Sequence, residues 1–162
     1  MLVVSNPSPV SNLAIIGRLD FLRRRYALVR IPKEVADELA ALTHPAGLER
    51  LPAALADGWL KVEPRVKLVP PPLPFPLDSG ETAAIALASQ LKADVLLMDE
   101  KRGREAARHC GLAVAGVLGE LIQAKHAGWI PNVRDEIQRL RAEAGLFVDG
   151  SVEKFILSQV GE

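Results

Sequence analysis

Asp94-Val95-Leu96-Leu97-Met98-Asp99-Glu100-Lys101-Arg102-Gly103-Arg104 is the stretch on which the fold assignment turns. A short apolar run stands between charges on both sides. That pattern fits a buried strand of a parallel sheet, Val95 to Met98, better than a helix. Open α/β sheets bind their ligands just beyond the carboxyl ends of such strands. Asp99 is therefore expected where an α/β protein keeps its chemistry, with a basic helix start beside it. One acid at a strand end is common, so the question is whether other segments bring acids to the same edge.

Upstream, Asp78-Ser79-Gly80-Glu81 starts a helix running through about Leu91. Downstream come a helix from about Arg102 to His109 ended by Gly111, a strand from Leu112 to Val114, and helices over about Gly116–His126, Pro131–Ala144 and Ser151–Gln159. Towards the start of the chain, Leu2-Val3-Val4 reads as a first strand, and Ser8 and Pro9 cap and open a helix that ends near Gly17. Leu19 to Arg25 is a further helical turn or two, and Ala27 to Ile31 is a second strand. Pro32 opens a helix with Val35, Leu39 and Leu42 at helical spacing. Residues 43 to 60 read as a loop with a short helix around Leu51 to Leu55, and Trp59 to Val62 as a third strand. Val69 to Pro76 holds five prolines and is barred from a central sheet, which makes it an extended surface connection. The alternation of strand and helix implies an α/β fold with a mostly parallel sheet and helices on both faces.

The 162 residues suffice for one domain with a full core, and 49% hydrophobic with 25% charged residues is ordinary for a globular chain. Lys plus Arg and Asp plus Glu number 20 each, so binding of nucleic acid through bulk charge is disfavoured and only local patches remain. Cys110 is the only cysteine, which excludes an internal disulfide and a Cys-rich zinc site. His44, His109 and His126 lack ligand-like spacing. No signal peptide or membrane span is read, and a reducing cytoplasm is the expected compartment.

Four positions are expected to converge: Asn6 after the first strand, Glu38 on the helix after the second, Glu81 at the start of the helix before the central strand, and Asp99 at that strand's end. Oxygen ligands without histidine or cysteine suit a hard cation, Mg²⁺ or Mn²⁺, which would polarise a phosphate oxygen. Each residue also has a purely structural reading. Glu81 follows Asp78 at capping-box spacing. Glu38 fits a solvated helix position, Asp99 a turn or N-cap residue, and Glu100 a charge favourable to the helix dipole.

Val3-Val4-Ser5-Asn6-Pro7-Ser8-Pro9, Ile31-Pro32 with Glu38-Leu39, Leu77-Asp78-Ser79-Gly80-Glu81 with Ala84-Ile85-Ala86-Leu87-Ala88, and Leu96 to Arg104 with Ala107 together resemble the PIN-like domains. The closest likeness is to a largely uncharacterised prokaryotic subfamily of that VapC-like ribonuclease superfamily. Gly116-Val117-Leu118-Gly119 and Ala124 to Pro131 continue the likeness. The resemblance implies one PIN-like domain over 1–162, with 131–162 as a C-terminal helical extension. The implied fold is a three-layer α/β/α Rossmann-like one, with about five strands in the order 3-2-1-4-5. It implies a Mg²⁺- or Mn²⁺-dependent ribonuclease acting on RNA, of the kind found as toxins neutralised by an antitoxin protein, and a homodimer. The family's acids fall on Asn6, Glu38, Glu81 and Asp99. Asn6 departs from the usual aspartate, and Pro7 replaces the common threonine or alanine. An asparagine oxygen can ligate a cation, yet it brings no charge and no carboxylate base. The alternative is therefore a catalytically weak or inactive module that binds RNA or a protein partner.

Lys101, Arg102, Arg104 and Arg108 follow Asp99, and Arg18 with Arg23 to Arg25 forms a second basic group. Solvated helix faces explain both; flanking an acidic pocket, they would hold a strand's phosphates. A phosphoryl-transfer enzyme with Asp99 as nucleophile is a third reading, disfavoured because no aspartate lies two residues on. On the last helix Val152, Phe155, Ile156 and Val160 form an apolar stripe, to be covered by the domain itself, a second copy or an antitoxin.

Overall fold

The computed structural model describes residues 1–64 and 67–162. Five strands, each two or three residues long, form one all-parallel sheet: β1 Val3–Ser5, β2 Val29–Ile31, β3 Leu60–Val62, β4 Val95–Leu97 and β5 Val114–Ala115, in the order β3-β2-β1-β4-β5. Because β1 lies centrally between β2 and β4, the order reverses there, and the crevice opens at the carboxyl ends of β1 and β4. Ser5 pairs in register with Leu97, so Asn6 and Met98 leave the sheet side by side.

Helices pack around this sheet as a three-layer α/β/α arrangement. They are α1 Pro7–Ile15, α2 Asp20–Tyr26, α3 Lys33–Ala40, α4 Pro45–Ala56, α5 Ser79–Leu91, α6 Lys101–His109, α7 Val117–His126, α8 Val133–Glu143 and α9 Gly150–Gln159. The alanine-rich α5 lies directly on β1 and β4, where its small side chains permit close approach, and Ala84, Ile85 and Ala88 are fully buried. The C-terminal segment shares the same core: Ile137 and Leu140 on α8 and Ile156 on α9 pack with α7 and the rest of the cluster. No helix among the described residues is long and apolar enough to cross a membrane.

Several expected boundaries move, each for a local reason. The first helix begins at Pro7 rather than at Ser8 and Pro9, because proline suits the first helical position and holds Asn6 extended before it. β2 begins at Val29, since Ala27 takes a positive φ of 63° that closes α2. α4 is a twelve-residue helix from Pro45, not a short one around Leu51, and it continues through Pro52 because Leu51 and Ala54 are buried where it packs on α1. β5 lies at Val114–Ala115, shifted from Leu112 to Val114 by its pairing of Leu96 with Val114. The stripe on α9 is buried only in part: Ile156 and Leu157 are covered, while Val152 and Phe155 are exposed.

Candidate functional site

Asn6 is the central residue of the carboxyl edge. Its backbone N–H donates to Leu97 O at 2.9 Å, fixing it against the end of β4. The side chain is 3% exposed, Nδ2 donates to Glu100 Oε2 at 3.1 Å, and Oδ1 is buried without any hydrogen-bond partner. Buried amide oxygens are almost always satisfied, and an orphan is costly enough to mark a place where something else docks.

The adjacent acids Asp99 and Glu100 part company. Glu100 is extended (φ −68°, ψ 132°), and consecutive side chains of an extended chain point in opposite directions. Glu100 turns to β1 and α1, accepting from Asn6 and from Ser8 Oγ. Asp99 turns to the helical layer: Oδ1 accepts the Val117 N–H at the start of α7 at 2.7 Å, and Oδ2 accepts Asn12 Nδ2 at 3.0 Å. Burial pushes the Asp99 carboxyl up to about 6, against the lowering effect of those two donors and of Arg104.

Glu38 and Glu81 come together beside Glu100. Burial and then repulsion from Asp78 and Glu100 raise the Glu38 carboxyl above the usual range. Glu81 is raised by burial, and by Asp78, Glu100 and Glu38, despite its backbone partner Asp78. The capping box read from the sequence is present: Glu81 N–H donates to Asp78 Oδ1 at 2.8 Å, and Asp78 N–H to Glu81 Oε2 at 3.2 Å. Glu81 thus caps α5 and also faces the acidic cluster.

Glycines make room for three of these carboxylates. A Cβ on Gly80 would collide with Glu38 Oε1. One on Gly103 would strike Met98 Sδ and stand 3.0 Å from Glu81 Oε1, and one on Gly116 would stand 2.9 Å from Asp99 Oδ1. Of the four residues expected to converge, Glu38 and Glu81 stand near Glu100, which accepts from Asn6, and Asp99 lines a groove with Ser8 and Glu100 while its oxygens are taken by Val117 N–H and Asn12. Glu100, Ser8 and Asn12 were not expected as contributors; the alternation along Leu97 to Glu100 is the signal that places Glu100 opposite Asp99.

The donor set suits a hard divalent cation in its chemistry: all oxygen, Glu38 and Glu81 raised by burial and by neighbouring acids, and a neutral amide oxygen left unpaired. As placed, no three His, Cys, Asp or Glu side chains among the described residues stand close enough to hold a metal ion. Glu38 and Glu100 are exposed side chains with several rotatable bonds, and Glu100 would have to exchange its bonds from Asn6 and Ser8 to close on one.

Cations border this edge unequally. Arg102 is occupied by the proline segment, its guanidinium 4.5 Å from the Phe75 ring centre and Nη2 donating to Pro76 O at 3.4 Å. Lys101, Arg104 and Arg108 line a groove of about 720 Å³ that begins at Ser8, Asp99 and Glu100. The second basic group is spent on ion pairs: Arg18 with Glu136 at 2.6 Å, Arg24 with Asp20 at 2.5 Å, and Arg25 with Glu120 at 3.5 Å.

Comparison with known proteins gives one family whose sequence model, DUF3368: PIN domain, matches residues 2–162. No curated protein matches the chain.

Proposed function

The chain belongs to the PIN domain family, and from that premise we propose that it is a divalent-cation-dependent ribonuclease whose ion would be held by Glu38, Glu81 and Glu100 with Asn6 Oδ1 as neutral donor. The observation that carries this reading is the gathering of three mutually repelling carboxylates beside a buried, unpaired Asn6 oxygen. Asp99, expected as a ligand from the sequence, takes a positioning role in this proposal, tying the end of β4 to the start of α7 through Val117 N–H and to α1 through Asn12.

A Mg²⁺ or Mn²⁺ ion at such a site supplies Lewis acidity towards a phosphate oxygen and lowers the pKa of water. In the hydrolysis, water oxygen bonds to phosphorus, the bond to the leaving sugar oxygen breaks, and that oxygen takes up a proton. Glu38 and Glu81, their carboxyls raised by burial and by neighbouring acids, would accept a proton more readily than an ordinary glutamate does. Lys101 and Arg104 sit on the adjoining groove, where they would steady the phosphates on either side. Arg102 would act chiefly by holding the proline segment in place.

A second reading is supported by Asn6 itself. A neutral residue in place of the family's aspartate, with no ready-made metal cluster among the described residues, favours a module that binds RNA or a protein without cutting. Cleavage of mixed-sequence RNA with Mn²⁺ separates the two readings, using wild type, Glu81→Gln and Glu100→Gln. Cutting by wild type alone upholds the nuclease; no cutting by any of them, with RNA still bound, upholds the binder. Equal cutting by all three proteins sinks the assigned site. Pairing with an antitoxin and homodimerisation complete the proposal. Growth arrest on expression, relieved by a neighbouring gene product, tests the first; sedimentation of the purified chain tests the second.

A further inference from the structure

The molecule leaves two aromatic side chains bare, and both are on one groove. Phe147 is 85% exposed and Phe155 is 63% exposed. Every other aromatic residue is covered: Phe21, Tyr26 and Trp59 are buried, Trp129 stacks on Phe21 beneath Arg24, and Phe75 lies beneath Arg102. Phe147 and Phe155 have no ring or cation partner among the described residues. They line the same groove as Lys101, Arg104 and Arg108.

The opposite wall is cationic along one helix face. Lys101, Arg104 and Arg108 are spaced three and four residues apart on α6, about 10 Å from first to last. None of them forms an ion pair among the described residues. Arg104 Nε is buried and without a hydrogen-bond partner, an unsatisfied donor of the kind an anion completes. One wall of unpaired cations and one of bare aromatic rings is the combination that holds a single nucleic-acid strand, whose phosphates take the charge and whose bases take the rings. A helical protein partner would satisfy the apolar wall but leave the cations unanswered.

We propose that the groove between α6 and α9 is a nucleobase-stacking site, in which Phe147 and Phe155 hold unstacked bases of a single strand while Lys101, Arg104 and Arg108 hold its phosphates. The proposal rests on the nuclease reading above and extends it by requiring substrate whose bases are free to leave their own stack. Duplex RNA, with its bases already stacked on one another, would engage only the cations.

Binding of a labelled mixed-sequence RNA dodecamer, single-stranded or duplex, is measured by fluorescence anisotropy in EDTA, where cleavage is off. Phe147→Ala and Phe155→Ala are each expected to weaken single-strand binding about tenfold, with the salt dependence and duplex binding unchanged. Arg108→Ala is expected to lower the slope of log affinity against log salt by roughly 0.7. Phe155→Leu, which keeps the apolar surface but loses the ring, is expected to match Phe155→Ala. Single-strand binding that is unchanged in both alanine variants overturns the proposal. A dimer that Phe155→Ala converts to monomer, with RNA affinity intact, also overturns it by assigning the face to a second copy. Single-strand binding that depends on the rings, in a protein that cuts nothing with Mn²⁺, supports the platform and removes only the nuclease.

Discussion

Glu120 and Glu136, in the helical layer, are 2% and 3% exposed, and each is answered by partners. Tyr26 OH donates to Glu120 Oε1 at 2.6 Å with Arg25 alongside, and Arg18 donates to both oxygens of Glu136. At the carboxyl edge of the sheet the arrangement is reversed. Glu38 and Glu81 are raised by burial and by Asp78 and Glu100, and although Lys101 and Arg102 line the same hollow as Asp78, Glu81 and Glu100, no ion pair joins them to these acids among the described residues. A buried charge is tolerable when it is paired and hydrogen-bonded. Glu136 obeys that rule in full, and Glu120 in part, its Oε2 being ion-paired with Arg25 but without a hydrogen bond among the described residues. At the edge the buried Glu81 has no cationic partner of its own among the described residues, and the proposed function rests on that difference.

The comparison breaks most visibly if Glu81→Gln and Glu100→Gln are silent. Each is expected to lower RNA cleavage about a hundredfold, some 2.7 kcal/mol of barrier, measured as initial rate with Mn²⁺. Glutamine can serve in a capping box, so the urea midpoint of Glu81→Gln should hold or rise as repulsion is removed. On the paired side, Tyr26→Phe is expected to cost about 2 kcal/mol of stability by leaving Glu120 short of its hydroxyl, read as a lower urea midpoint with cleavage per folded molecule unchanged. Should Tyr26→Phe impair cleavage and not stability, the division between the two regions is wrong.

Asn6→Asp sharpens the contrast from the other direction. It adds a carboxylate against Glu100 and removes the Nδ2 donor, so the cation-free protein should melt lower while Mn²⁺ affinity by calorimetry rises about tenfold. At an effective dielectric of about 20 a charge pair near 4 Å is on the order of 4 kcal/mol before desolvation, which leaves room for a tenfold effect. No gain in affinity would remove Asn6 from the site.

The smallest expected effect concerns pH. Asp99 keeps its proton in the folded state to about pH 6, whereas an unfolded aspartate releases it near 3.9. Between these values the folded chain binds more protons than the unfolded one. The stability from this group is therefore fully present below about pH 4 and lost as pH rises through about 6. With solvent access allowed for, the change is about 1–2 kcal/mol. Glu38 and Glu81 are raised too and slope the same way. In Asp99→Asn, denaturation in EDTA across pH 4 to 7 should show a flatter slope; an unchanged slope would assign the effect to the glutamates alone.

Local chemistry made much of this legible in sequence. The apolar run ending at Met98 marks β4, and the Asp78 to Glu81 spacing marks the start of α5 whatever the tertiary context. Family likeness carried the strand order. α4 was read as a short helix around Leu51 to Leu55, and its full length from Pro45 shows only in its packing on α1. Asp99 and Glu100 could not be told apart by residue type. Which of two adjacent acids faces β1 is decided by one extended residue at the turn from β4 into α6, and the donors that hold Asp99 come from α1 and α7, far away in the chain.

Gly80 carries a consequence for anyone wishing to silence this protein without touching its charges. Alanine there would favour the first turn of α5 by up to about 1 kcal/mol, yet its methyl group would occupy the space that the Glu38 carboxylate fills. Gly80→Ala is thus a steric plug: every charge is kept in the sequence, and one acid is evicted from its seat.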